Sequence, residues 1–128
     1  MTRRSALGSL VLVSLIAFGP SAALAAAPDE VTTDASGREI SRVHSNADGS
    51  SQHTSTKYAE GQARTVVREE INPRSRVTQR VVEQYDSSGR LAQRKEVTVD
   101  ATGREKGQRL SYRYDPDGRP RVTTEVIK

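Results

Sequence analysis

The stretch VVEQYDSSGRLAQRKEVTV, residues 81–99, holds two runs of alternating large and polar side chains around Asp86-Ser87-Ser88-Gly89. In such a four-residue turn the leading Asp accepts hydrogen bonds from the backbone ahead of it, and the Gly takes the positive φ that other residues resist. The flanking Val, Tyr, Leu and Thr are strand formers. Together they specify a β-hairpin with strands that end at Tyr85 and resume at Leu91.

The same punctuation recurs at intervals of 12 to 15 residues. Asp34-Ala35-Ser36-Gly37, Asp100-Ala101-Thr102-Gly103 and Asp115-Pro116-Asp117-Gly118 repeat it, and each turn of this type is followed by arginine, at Arg38, Arg90, Arg104 and Arg119. Asn46-Ala47-Asp48-Gly49, Tyr58-Ala59-Glu60-Gly61 and Asn72-Pro73-Arg74-Ser75 fill the gaps less regularly. Between the turns lie segments rich in Val, Thr, Tyr and Arg. The chain therefore reads as all-β, an antiparallel β-meander forming a single twisted sheet or a small open roll.

Pairing the first turn residue with the one after the last gives a testable register. It sets Ile71 opposite Val77, Val67 opposite Val81, Ala63 opposite Tyr85, Tyr85 opposite Leu91 and Val77 opposite Val99. Large apolar residues then share one face. The third hairpin keeps that pattern only with one extra residue, for which Gly107 is the natural β-bulge. Tyr112 then meets Val122. The apolar face expected from this register comprises Ala63, Val67, Ile71, Val77, Val81, Tyr85, Leu91, Val97, Val99, Leu110, Tyr112, Tyr114, Val122 and Val126. The reverse face carries Arg64, Arg68, Arg80, Arg94, Arg109, Arg113 and Arg121, interleaved with Glu70, Glu96 and Glu125. In the roll alternative, Val31, Ile40, Val43 and Tyr58 close the apolar face.

Tyr85-Asp86-Ser87-Ser88-Gly89-Arg90-Leu91 and Tyr114-Asp115-Pro116-Asp117-Gly118-Arg119 resemble the YD repeats of the RHS family, over roughly residues 85–119. The resemblance implies extracellular β-hairpin arrays. Val99-Asp100-Ala101-Thr102-Gly103-Arg104 is a similar third copy with Val for Tyr. Spacing here is shorter than in that family, and three good copies are too few to enclose a cavity.

The N-terminus carries a separate message. Arg3 and Arg4 precede an apolar stretch from Ala6 to Phe18, Gly19-Pro20 breaks it, and Ala23-Leu24-Ala25 offers small residues to a signal peptidase. The reading divides the chain into a signal peptide at 1–25, cleaved after Ala25, a flexible tail at 26–33 and a β-hairpin repeat domain at 34–128. The general secretory route is favoured over twin-arginine export. The destination is the periplasm or the medium, with no stable membrane span after cleavage.

Cleavage would leave 103 of the 128 residues. The two leader arginines depart with it, lowering the formal charge from +4 to +2, so the basic balance is no nucleic-acid footprint. Cysteine is absent, which excludes both disulfide staples and a lipoprotein anchor. Leu, Ile, Val and Phe make up only 16 residues after Ala25, so any core is thin.

No nucleophile motif, phosphate loop or metal cluster stands out, and the chain reads as no enzyme with no cofactor. His44 and His53 flank a turn but lack a third ligand. Asp115-Pro116-Asp117-Gly118 lacks the remaining ligands of a calcium loop. Two functional readings follow: a structural or interaction protein of the bacterial cell envelope, or a binder of anionic envelope polymers, such as polysaccharide, through the arginine-rich face. The first uses Val81, Tyr85, Leu91, Tyr112 and Tyr114 against another envelope protein or a second copy. The second uses Arg94, Arg109 and Arg113.

Overall fold

The computed structural model describes residues 10–13 and 28–128, and the signal-peptide reading otherwise lies outside the described residues. The described strands are Leu10–Val13 (β1), Glu30–Thr33 (β2), Glu39–Ser45 (β3), Ser51–Tyr58 (β4), Arg64–Ile71 (β5), Val77–Tyr85 (β6), Leu91–Val99 (β7), Glu105–Tyr114 (β8) and Pro120–Ile127 (β9). They form one open antiparallel sheet in sequence order, and the described residues include no helix. Glu30–Thr33, read from sequence as tail, is strand. Contacts run between consecutive strands, and Val31, Ile40, Val43 and Tyr58 do not fold over to close a roll.

Turn chemistry explains why the chain reverses where it does. At Asp34, Asn72, Asp86, Asp100 and Asp115 the backbone N–H of the first residue donates to the carbonyl four residues on, at 2.8–3.0 Å. In the first four of these, the first residue's Oδ1 accepts from the N–H groups two and four residues ahead, which satisfies donors that the ladder leaves unused. The turn glycines sit at positive φ, and in the Asn72 turn Ser75 takes that place at φ 65.

The register agrees with expectation close to each turn and departs beyond it. Ile71–Val77, Tyr85–Leu91 and Tyr112–Val122 are direct pairs. One residue further, Thr78 and Ala92 are extra residues on their strands, and the pairing slips by one. Val67 therefore faces Val82 rather than Val81, Arg64 rather than Ala63 faces Tyr85, and Thr98 faces Gln79, one step out of the register that would set Val99 opposite Val77. Gly107 is no bulge. It pairs in register with Val97, and the β7·β8 ladder runs without a shift.

Because side chains alternate, each slip exchanges the faces. The single apolar face is thereby dissolved. Register places Tyr58, Val66, Val81, Glu83, Tyr85, Arg94, Leu110, Tyr112, Tyr114, Val122 and Val126 on one side, here called the front. Val67, Arg80, Val82, Val97, Val99, Arg109, Arg113 and Arg121 lie on the back. Among the described residues only Val66, Val97 and Glu83 are buried, on different faces of one layer. Among the described residues no second layer covers either side, so the ladders and cross-strand side-chain pairs hold the strands together.

Candidate functional site

The front face is organised around a carboxylate. Glu83, in the interior strand β6, is 5% exposed and lies between two arginines from neighbouring strands. Arg68 Nη1 donates to its Oε1 at 2.6 Å, and Arg94 Nη1 to its Oε2 at 2.7 Å. The Tyr85 hydroxyl adds a third donor at 3.1 Å, and Arg94 reaches on to Glu96 at 2.5 Å. Burial alone would push the Glu83 carboxyl up, but the hydrogen bonds from Arg68 and Tyr85 and the charges of Arg68 and Arg94 outweigh it. The carboxyl is held below the ordinary glutamate range. Burial and the neighbouring carboxylate raise Tyr85 in turn.

Three tyrosines lie in a row along one end of the sheet, each under a guanidinium from the residue that opens, or immediately precedes, the strand before. Arg38 stacks on Tyr58 at 4.1 Å, Arg64 on Tyr85 at 3.9 Å and Arg90 on Tyr114 at 4.5 Å. The Tyr114 hydroxyl donates to the Leu91 carbonyl at 2.6 Å and that of Tyr58 to the Glu39 carbonyl at 2.8 Å. Sequence reasoning grouped Tyr85 and Tyr114 with Tyr112, set Tyr58 apart and missed the cations, although Arg38, Arg64 and Arg90 recur every 26 residues. With one ring face covered, each tyrosine serves the sheet before it serves a ligand.

The arginine trio of the polysaccharide reading is divided. Arg94 is on the front, bound to Glu83 and Glu96. Arg109 and Arg113 are on the back, where Arg109 pairs with Glu125 at 2.9 Å and Arg113 faces Arg121 across the ladder. The remaining back-face charges also answer one another: Arg80 binds Glu69 at 2.8 Å and contacts Glu105, which Lys95 reaches at 2.8 Å.

The partner-binding group holds together better. Val81, Tyr85, Tyr112 and Tyr114 share the front face and Leu91 sits opposite Tyr85, all half-buried. The histidines do not meet: His53 faces Val43, while His44 contacts Asp29 at 2.7 Å, on the opposite side. No group of three metal-ligating side chains occurs among the described residues. The Asp115 turn ties itself to Arg121 at 2.9 Å.

No family model, curated protein or solved structure matches the chain.

Proposed function

We propose that the chain is an exported, non-enzymatic interaction or structural protein of the bacterial cell envelope, built of YD-like β-hairpins. The observation that carries this reading is the single open layer, whose strands satisfy one another and leave both faces available. A one-layer sheet of this kind presents surface and edge in unusual amount for its length, which suits a protein that works by contact. The leader Arg3-Arg4 and the Ala23-Leu24-Ala25 site support export.

The polyanion reading has less support, because two of its three arginines are engaged by carboxylates and the trio spans two faces. Fractionation with intact-mass measurement tests the first reading. A chain beginning at Ala26 in the periplasm or medium supports it, and full-length chain retained in the cytoplasm refutes it. Heparin retention that disappears when Arg94, Arg109 and Arg113 are changed to Gln would turn the assignment to the second.

A further inference from the structure

Among the described residues the last strand, β9, is paired on one side only, with β8. Asp115 N donates to Arg119 O at 2.9 Å, which makes residues 115 and 119 a hydrogen-bonded pair. Alternation along the ladder then turns the backbone groups of Arg121, Thr123, Glu125 and Ile127 toward β8, and those of Val122, Thr124 and Val126 away from it. Position 120, also outward, is proline, which has no N–H to leave unmet. Two of the outward positions carry Val122 and Val126, 51% and 66% exposed, the exposed large hydrophobic side chains among the described residues.

We propose that this edge pairs with itself: β9 of one chain lies antiparallel to β9 of a second copy, about a twofold axis between their Thr124 residues. That register places Val122 of each chain opposite Val126 of the other and Thr124 opposite Thr124, so every outward N–H from 122 to 126 meets a carbonyl. On the back, Arg121 of each chain falls diagonal to Glu125 of the other, a complementary pair. Pro120 opposite Lys128 ends the pairing. A foreign strand has no reason to match this symmetric order of apolar, hydroxyl and apolar side chains, whereas a second copy matches it by construction. The dimer goes beyond the envelope reading and does not depend on export.

The chain has no cysteine, so a single introduced thiol reports contact directly. Thr124→Cys should be captured as a disulfide-linked dimer under mild oxidation, because paired Cα atoms about 5.5 Å apart lie within disulfide reach. Thr98→Cys, exposed on the same face in interior strand β7, should not be. Sedimentation of the purified chain should show a concentration-dependent monomer–dimer equilibrium, weakened at least about tenfold by Val122→Lys with Val126→Lys at unchanged far-UV circular dichroism. Should that double variant fail to fold, the cysteine comparison decides. Equal capture at both cysteines, a monomer persisting to millimolar concentration, or an open-ended series of larger species from head-to-tail pairing would each overturn the proposal.

Discussion

Ser75 occupies, at φ 65, the turn position that Gly37, Gly49, Gly89, Gly103 and Gly118 take in the turns of the same hydrogen-bonded form. A side chain there brings Cβ close to the carbonyl, at a cost of about 1–2 kcal/mol, part of which glycine returns as extra freedom in the unfolded chain. Ser75→Gly should therefore stabilise the protein by about 0.5–1 kcal/mol, read as a raised urea midpoint at unchanged slope. The opposite exchange is informative at Gly118, φ 88 with open space around it, where Gly118→Ala meets only the backbone penalty.

The turn aspartates and Glu83 give the residue scale a pH signature. The backbone N–H of Arg38 and that of Arg90 are the first causes holding Asp34 and Asp86 below the usual aspartate range, and the Thr102 hydroxyl does the same for Asp100. Groups depressed on folding contribute stability above their unfolded values, near pH 4, and lose it as pH falls through the folded ones. Thermal midpoints should thus stay level from pH 7 to 5 and drop below about pH 4. Glu83→Gln should cost about 1–3 kcal/mol at neutral pH by leaving Arg68 and Arg94 short of their acceptor, and should flatten part of the acid limb. An unchanged acid limb would show that Glu83 does not contribute to it.

Strand pairing is where Gly107 matters. A Cβ at this position would overlap the Glu96 carbonyl oxygen at 1.9 Å and lie 2.8 Å from Val97 Cα, so the backbones of β7 and β8 approach more closely than any side chain permits. Gly107→Ala should cost about 1–3 kcal/mol, since backbone rather than a flexible side chain must give way. Chemical denaturation beside Gly118→Ala isolates that cost from the general effect of losing glycine. The sequence marked Gly107 correctly as special but for a different reason, because a strand glycine signals close approach as readily as a bulge. Turns were legible because Asp, Gly and Arg each perform a defined local task. The bulges at Thr78 and Ala92 were not, since neither residue has a backbone preference that advertises an extra position. One misplaced residue per hairpin then moved Val81 away from Val67 and set it beside Arg68, and with it went the expected division into apolar and arginine faces.

At the scale of the whole molecule, every strand from β2 to β9 rests on its sequence neighbours, and none depends on a distant part of the chain. The chain is therefore built as tandem copy number is built, by a unit of two strands that begins with an arginine and closes with a tyrosine. Arg64 and Arg90 stand at equivalent places in successive units, so excising residues 64–89 joins Ala63 directly to Arg90. Arg90 would then enter the ladder where Arg64 now faces Tyr58, strand direction would still alternate, and Glu83 would leave together with its partner Arg68. The shortened chain should keep a β-type circular dichroism spectrum and a cooperative, less stable unfolding transition, as expected where neighbour contacts add along one dimension. Loss of all folded structure would show that the units are not interchangeable. In genetic terms, an in-frame deletion or duplication of one such period would then change the width of the sheet by two strands without redesigning a core.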